Sequence, residues 1–216
     1  MDPLEVAAGV WVAAGSAAPS NHDDDARHAA ALPQWQARRF LHGRGLLRQL
    51  LRTVAPPLAG ATIAYDRRGQ PHLPDHPTAG ISVSHSAGMV ACAFATEARV
   101  GVDLQHPAAS VSSTLAHRLL RSHAPDVLAL PPARAAEELT WVWTAQEACV
   151  KAAGAGLAGR PWDIDVPPRQ HGGDWETYRW MCLRAVSRTP LSCAVGSAAD
   201  GGDTPPHHPL QAPASL

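Results

Sequence analysis

The order of the predicted elements constrains the fold most, because a long helix followed by strands occurs twice along the chain. Apolar side chains recur at helical spacing over residues 34–54, and Pro56-Pro57 ends that helix. A second long helix is predicted from Pro131-Pro132 to about Ala153. Strands are predicted after each helix, at 81–84, 89–95, 99–105, 176–187 and 191–196. This order predicts an α+β fold made of two pseudo-symmetric α/β halves in one chain.

The chain of 216 residues is predicted to divide into an N-terminal half at 1–98 and a C-terminal half at 99–198. A first strand is expected at 5–13, and a polar link is expected at 19–32 before the first long helix. The tail at 199–216 contains glycine and proline and has no hydrophobic periodicity, which predicts disorder.

The charge balance excludes two classes of partner. The 18 basic and 19 acidic residues give a net charge of −1, which argues against binding to nucleic acid or to an anionic membrane surface through bulk charge.

No apolar run is long enough to span a membrane, and acidic residues precede the apolar stretch at 6–18, unlike a signal peptide. Four cysteines without CxxC or zinc-like spacing suggest reduced thiols. We therefore expect a soluble, cytoplasmic protein.

Glu147 and Lys151 lie four residues apart on the second long helix, so both side chains project from one face. An ion pair on a solvated helix face is one explanation of this spacing. Trp143, one turn earlier on the same face, indicates instead a face that is covered. Lys151 is also the only lysine in the chain; the other 17 basic residues are arginine.

Asp103 requires an explanation because carboxylates are uncommon in strands. Alternation along the strand at 99–105 places Gly101, Asp103 and Gln105 on one face. Asp103 is either an exposed edge charge or, paired with Glu147 across a groove, one of two hard oxygen ligands suited to Mg²⁺ with substrate phosphates. A nearby lysine would then offset charge on the transferring group.

A stripe of arginines is predicted on the first long helix, since Arg44, Arg48 and Arg52 are spaced by four. The stripe is either a solvated face or a phosphate clamp. A nucleotide- or RNA-binding module that uses the stripe is a further hypothesis, and it predicts steeply salt-dependent binding to nucleic acid.

Three other patterns do not support the functions that they suggest at first sight. Residues 84–88 resemble the G-x-S-x-G nucleophile elbow with Ser86 as nucleophile, but a strand rather than a helix is predicted after it. The G-x-G-x-x-G at 154–159 follows a helix and not a strand, so it is not a dinucleotide fingerprint. The 12 histidines show no HxxxH helical spacing and no cysteine partner at ligand spacing.

Ordered blocks of sequence from Arg38 to Leu157 together resemble the 4′-phosphopantetheinyl transferases of the surfactin-synthetase-activating type. Residues 101–105 (GVDLQ) are similar to the family's G-[IV]-D-[IL]-E, and residues 143–151 (WTAQEACVK) to its W-[ST]-x-K-E-[AS]-x-x-K. Residues 81–86 (ISVSHS) resemble its strand ending in S-H-S. Residues 69–71 (GQP) stand where the family has G-K-P, and the arginines at 38, 39 and 48 match its basic helix.

The resemblance implies transfer of the phosphopantetheine arm of coenzyme A to a serine of an apo acyl or peptidyl carrier protein, with release of adenosine 3′,5′-bisphosphate. The active site would lie between the two halves of a monomeric pseudodimer. Mg²⁺, or Mn²⁺, would be held by Asp103, Glu147 and Gln105. The implied catalytic residues are Glu147, Lys151 and His85. Coenzyme A would be bound by six residues: Arg48, Gln70, Pro71, Ser84, His85 and Lys151.

Three glutamines depart from the family pattern. Gln105 replaces a third acidic ligand, and Gln70 and Gln146 replace two lysines, each removing a positive charge near the phosphates. We therefore expect weaker affinity for metal or coenzyme A. The alternative is a catalytically weakened relative that binds coenzyme A or a carrier protein without efficient turnover.

Overall fold

The computed structural model describes residues 2–197. The tail predicted at 199–216 lies outside the described residues. The division at residue 98 into two halves stays a prediction. No helix within residues 2–197 is both long and apolar enough to cross a membrane.

Two four-stranded antiparallel sheets form the centre of the molecule. The first has the order β1-β2-β6-β5 and the second has the order β7-β10-β9-β8, while β3 and β4 form a separate small hairpin. The ten strands in the described part of the chain are β1 (Leu4–Ala7), β2 (Val10–Gly15), β3 (Ala64–Tyr65), β4 (Pro71–His72), β5 (Gly80–Ser86), β6 (Met89–Ala95), β7 (Ala98–Leu104), β8 (Gly172–Trp175), β9 (Tyr178–Cys182) and β10 (Leu191–Ser197).

Within residues 2–197, five α-helices accompany the sheets: α1 (Asp23–Ala30), α2 (Gln34–Val54), α3 (Ser113–Leu120), α4 (Ala124–Leu128) and α5 (Pro132–Ala152). Short 3₁₀ turns are present at Pro56–Leu58, Arg121–His123, Gly156–Gly159 and Pro161–Asp163. The G-x-G-x-x-G pattern thus lies after the end of α5 and not between a strand and a helix. The mixture of helices and antiparallel sheets confirms the α+β class, while the pseudo-symmetry of two halves stays a prediction.

The layers follow from the alternation of side chains along the strands. One face of each sheet supplies a shared apolar core between the sheets, with members from β2, β6, β7 and β10. Helix α2 covers the other face of the first sheet, where Leu47, Leu51 and Phe94 are fully buried. Helix α5 covers the other face of the second sheet, where it packs on Trp180. The two long helices therefore enclose both sheets.

A serine ladder joins the facing edges of the two sheets. The hydroxyl oxygens of alternate β5 residues accept hydrogen bonds from backbone N–H groups of β7 and of His106, two residues after its end. Ser82 accepts from Val102 at 3.1 Å, Ser84 from Leu104 at 3.2 Å and Ser86 from His106 at 2.9 Å. These bonds satisfy edge N–H groups that no neighbouring strand satisfies, since β5 and β7 each lie at the end of a sheet.

Most differences from the sequence prediction are local. The single strand predicted at 5–13 is wrong: β1 and β2 form a hairpin, and Gly9 turns the chain with φ of +71°. The link at 19–32 contains α1, which His22 caps by accepting from the N–H of Asp24. The turn at Ala87-Gly88 connects β5 to β6, so no helix follows Ser86 and the elbow is absent there.

Candidate active site

Asp103 and Lys151 form the centre of the candidate site. Lys151 donates from Nζ to Asp103 Oδ1 at 2.6 Å and to the carbonyl oxygen of Val102 at 3.1 Å. The Lys151 side chain is 29% exposed and that of Asp103 is 9% exposed, so the pair borders solvent. The carboxylate is therefore not an exposed edge charge but the partner of the only lysine in the chain.

Gly101 brings β7 and α5 into contact at this point. A Cβ atom at Gly101 would lie 2.0 Å from the carbonyl oxygen of Ala148 on α5, so only glycine permits the approach. Asp103 is two residues further along the same strand face and hence also faces α5. The strand–helix packing thus determines that Asp103 meets the helix face carrying Lys151.

Glu147 lies one helical turn before Lys151 on α5 and is partly buried. Burial and the nearby charge of Asp103 raise the pKa of Glu147, while Lys151 opposes that rise. Within residues 2–197 no hydrogen bond or ion pair engages its carboxylate. Two carboxylates therefore face each other beside one ammonium group, and one of them has no partner.

Ser84 approaches the same carboxylate from the first sheet. Its hydroxyl donates to Asp103 Oδ1 at 2.7 Å, and the residue is 6% exposed. Gln105, predicted as a third metal ligand, is exposed, and its Nε2 donates to the carbonyl oxygen of His106 at 3.2 Å. Across residues 2–197 no hydrogen bond joins Gln105 to Asp103 or Glu147.

His85 lies beside this centre and lines a cavity of about 170 Å³. Its Nε2 donates to the carbonyl oxygen of Arg39 at 3.0 Å. Burial, reinforced by the charges of Arg39 and Lys151, lowers the pKa of His85 to about 4, so the ring is neutral near pH 7. The cavity is enclosed by helix α2, the β3–β4 hairpin and strand β5; its lining residues are Phe40, Gly43, Arg44, Tyr65, Gly69, Pro71, Val83 and His85.

The turn between β3 and β4 is attached to the end of α5. Gln70 donates from Nε2 to the carbonyl oxygen of Lys151 at 2.9 Å, and Arg68 donates to that of Gly154 at 3.1 Å. Pro71 follows directly and lines the cavity. The structure therefore brings the predicted residues Gln70 and Pro71 next to Lys151 and His85.

Of the two alternatives for the arginine stripe, a solvated face is wrong for two of its three members. Arg44 and Arg48 are each 3% exposed, and only Arg52 is at the surface. All three guanidinium nitrogens of Arg48 are engaged: two donate to Asp25 at 2.5 and 3.1 Å, and the third donates to the carbonyl oxygens of Ala59 and Ala61. The RNA-binding hypothesis loses its basis, and Arg48 lies outside the cavity lining.

Arg44, a member of the predicted arginine stripe, lines the cavity, although the predicted coenzyme A site includes Arg48 instead. Its guanidinium group lies between the rings of Phe40 and Tyr65, at 5.1 and 5.0 Å from their centroids. Its Nη2 makes a 3.4 Å hydrogen bond to the carbonyl oxygen of Ile63, whereas Nε and Nη1 are buried and without a hydrogen-bond partner. Asp25, 3.7 Å from Nε, supplies only part of the countercharge because Arg48 binds it more closely. The acidic run at 23–25 was the available signal.

Two comparisons with known proteins agree with this geometry. A model of the 4′-phosphopantetheinyl transferase superfamily matches residues 99–191, which include Asp103, Glu147 and Lys151. The chain is 32% identical over 172 residues to the 4′-phosphopantetheinyl transferase HetI of Nostoc sp. (strain PCC 7120 / SAG 25.82 / UTEX 2576). The aligned region covers 76% of this chain and 72% of that protein. The chain belongs to the 4′-phosphopantetheinyl transferase superfamily.

The superfamily assignment confirms the resemblance at the level of the family, while the surfactin-synthetase-activating type stays a prediction. One expectation derived from the family pattern is wrong. Gln146 is fully buried and donates from Nε2 to the carbonyl oxygens of Leu119 at 3.0 Å and Ile164 at 2.9 Å. Its side chain points into the core, and so the replacement of a lysine at this position removes no charge from the face that carries Glu147 and Lys151.

Proposed function

We propose that this transferase moves the 4′-phosphopantetheine arm of coenzyme A to a serine of an apo acyl or peptidyl carrier protein and releases adenosine 3′,5′-bisphosphate. The observation that carries the proposal is the meeting of Asp103, Glu147 and Lys151 beside the cavity lined by His85. The site combines two carboxylates with one ammonium group and adjoins a cavity with a buried arginine. This combination is suited to the doubly charged pyrophosphate of a nucleotide-containing substrate such as coenzyme A.

The donor set fits a divalent cation such as Mg²⁺ or Mn²⁺. Asp103 and Glu147 supply hard oxygen ligands, and the partly buried Glu147 has no partner of its own among residues 2–197. Gln105 would add an amide oxygen without charge. When bound, the cation would polarise the pyrophosphate of coenzyme A.

Glu147 is the residue to which we assign proton transfer. Its carboxylate has no hydrogen-bond or ion-pair partner among residues 2–197, so an oxygen of Glu147 is available to accept a proton. The carrier serine would lose its proton to Glu147, directly or through a water. Its oxygen would then form a bond to the phosphorus of the phosphopantetheine group. The bond from that phosphorus to the oxygen of the leaving bisphosphate would break.

Lys151 would offset the negative charge that develops on the transferring phosphate and the leaving group. Its ammonium group is a compact cation held at the strand–helix contact by Asp103 and by the carbonyl oxygen of Val102. Because a lysine ammonium has three donors, the third can face a substrate oxygen without losing the two protein contacts. This assignment explains why a chain otherwise rich in arginine has a lysine here.

The cavity is our proposed site for the nucleotide part of coenzyme A. Pro71 and His85 line it, and Gln70 ties its rim to Lys151. Within the cavity, Arg44 replaces Arg48 as our candidate for the cationic partner of a phosphate, since Nε and Nη1 of Arg44 have no hydrogen bond whereas all three nitrogens of Arg48 do. Neutral His85 would contribute a hydrogen bond rather than a charge.

A mass assay tests the proposal. The full chain is incubated with coenzyme A, Mg²⁺ and a panel of apo carriers from fatty-acid, polyketide and peptide synthases, and each carrier is weighed by mass spectrometry. We expect a gain of one phosphopantetheine group on at least one carrier, and its loss when EDTA replaces Mg²⁺. Coenzyme A binding without a mass gain under any divalent cation would favour instead the weakened relative, which the glutamines at 70 and 105 still motivate. We further propose a monomer that acts in the cytoplasm.

A further inference from the structure

Ser84 differs from the other members of the serine ladder in the group that accepts its hydroxyl hydrogen. Ser82, Ser84 and Ser86 each accept one backbone N–H, but only Ser84 also donates to a carboxylate, at 2.7 Å from Asp103 Oδ1. The N–H of Leu104 already uses one lone pair of the hydroxyl oxygen. This bond turns the O–H toward Asp103, and the alternative acceptor, the carbonyl oxygen of Leu104, is 3.5 Å away.

The Asp103 carboxylate is consequently held by one of its two oxygens. Oδ1 accepts from Ser84 at 2.7 Å and from Lys151 at 2.6 Å. Across residues 2–197, Oδ2 accepts no hydrogen bond. A carboxylate held through Oδ1 by donors from β5 and α5 has little freedom to rotate, and Oδ2 is the oxygen left for a further partner.

We propose that Ser84 is a positioning residue for the metal site, and that its hydroxyl orients Asp103 so that Oδ2 is available to a divalent cation. The inference rests on the proposed function. It replaces the expectation that the Ser84 hydroxyl binds coenzyme A, because that hydroxyl is buried and both its donor and one acceptor position are used within the protein. The serine ladder then links the edge of the first sheet to a ligand on the second.

The expected size of the effect follows from hydrogen bonds that orient metal ligands in general. Loss of such a bond weakens metal affinity by about 10- to 100-fold. The loss of a single ladder bond without a carboxylate contact should leave the metal site as it was. Ser82→Ala is the matched control, since it removes the same kind of N–H acceptor one ladder step away.

The experiment measures Mn²⁺ binding by the electron paramagnetic resonance signal of the free ion, on the full chain with saturating coenzyme A and with a protein-free blank. We expect Ser84→Ala to raise the Mn²⁺ dissociation constant by about 10- to 100-fold, and Ser82→Ala to leave it unchanged. Ser84→Thr keeps the hydroxyl and should restore Mn²⁺ binding. Coenzyme A affinity in EDTA, measured by calorimetry, should be the same for Ser84→Ala and the wild type.

Equal Mn²⁺ dissociation constants for Ser84→Ala and Ser82→Ala would overturn the inference while leaving the proposed function intact. So would a fall in metal-free coenzyme A affinity with unchanged Mn²⁺ binding, because that pattern marks Ser84 as a coenzyme A ligand. No Mn²⁺ binding by the wild type would overturn both the inference and the metal site of the proposed function. If Ser84→Ala does not fold, Ser84→Cys serves instead, since a thiol keeps the shape but is a weak donor.

Discussion

Asp103 and Lys151 are 48 residues apart in sequence, yet their side chains meet at 2.6 Å between Oδ1 and Nζ. The contact depends on Gly101, which lets α5 approach β7 closely enough for the lysine to reach the strand. A carboxylate and an ammonium group in this position neutralise each other in the free protein. The arrangement leaves Glu147 as the carboxylate whose charge has no direct partner among residues 2–197.

Asp103→Asn should reduce the rate of phosphopantetheine transfer by about 100-fold or more. The substitution removes the charge of a proposed metal ligand, and the bound cation would stabilise the transition state by several kcal/mol. The amide oxygen can still accept from Ser84 and Lys151, so the unfolding midpoint should change little. Transfer to the carrier is followed by mass spectrometry over time. Asp174→Asn, an exposed aspartate on β8, is the matched control and should keep wild-type activity. Full transfer by Asp103→Asn would place the metal elsewhere.

Lys151→Arg should lower kcat/KM by about tenfold or more, although it preserves the charge, because a planar guanidinium cannot occupy the position of a compact ammonium between Asp103 and Val102. The matched substitution is Arg99→Lys, since Arg99 also donates to the end of α5, at 3.5 Å from the carbonyl oxygen of Ala153. That control should retain wild-type kinetics. If Lys151→Arg turns over normally, the lysine acts only through its charge at a distance.

Arg48→Ala should destabilise the fold by about 3 kcal/mol, because it leaves Asp25 buried with only the more distant Arg44 as countercharge. The hydrogen bonds from Arg48 and Ser20 hold the pKa of Asp25 below its ordinary value although burial opposes ionisation. Urea unfolding provides the measurement. Arg52→Ala, one turn later on the exposed face of α2, should stay within about 0.5 kcal/mol of wild type. Equal losses for the two variants would contradict the buried pair.

The sequence predicts the two long helices well, for physical reasons. Helix α2 matches its predicted range, and α5 differs by about one residue at its C-terminal end, because apolar periodicity and flanking prolines are local signals. Side-chain alternation and helical spacing predict which faces carry Asp103 and Glu147, whereas the distance between those faces depends on the packing of β7 against α5. The burial of Arg48 could not be predicted, since it depends on Asp25 in a short alanine-rich helix that lacks a strong pattern.

Other parts of the site depend on non-local pairing and were therefore missed. Which face of α5 carries Gln146 is set by the carbonyl oxygens of Leu119 and Ile164, neither of which belongs to a motif. The donation from Ser84 to Asp103 depends on the two sheets meeting edge to edge. A pattern of alternate serines in one strand does not specify the strand that they will meet.

His85 should make the protein less stable as the pH falls from 6.5 toward 4. The pKa of His85 is about 4 when folded and 6.5 ordinarily, so between these values the unfolded chain binds more protons and the free energy of unfolding decreases. Charges from Arg39, Lys151 and His42 add to the effect of burial. Urea midpoints at pH 7 and pH 5 provide the test. His85→Gln can still donate to the carbonyl oxygen of Arg39 and should lose less stability than the wild type between pH 7 and pH 5. Equal losses in the two proteins would mean that His85 does not cause the pH dependence.

Gly101→Ala should separate α5 from β7 and weaken both the fold and the site. The added Cβ would lie 2.0 Å from the carbonyl oxygen of Ala148 and 2.5 Å from the N of Ala152, which are backbone atoms that cannot turn aside. Overpacking of this kind costs about 1–3 kcal/mol, and the displaced helix would carry Glu147 and Lys151 away from Asp103. Gly60→Ala is the control, because nothing lies within 4 Å of its Cβ position. The transfer rate of Gly101→Ala should fall by more than the loss of folded protein explains, because the molecules that stay folded have a widened site. Wild-type activity in that variant would mean that the strand–helix contact does not set the geometry of the site.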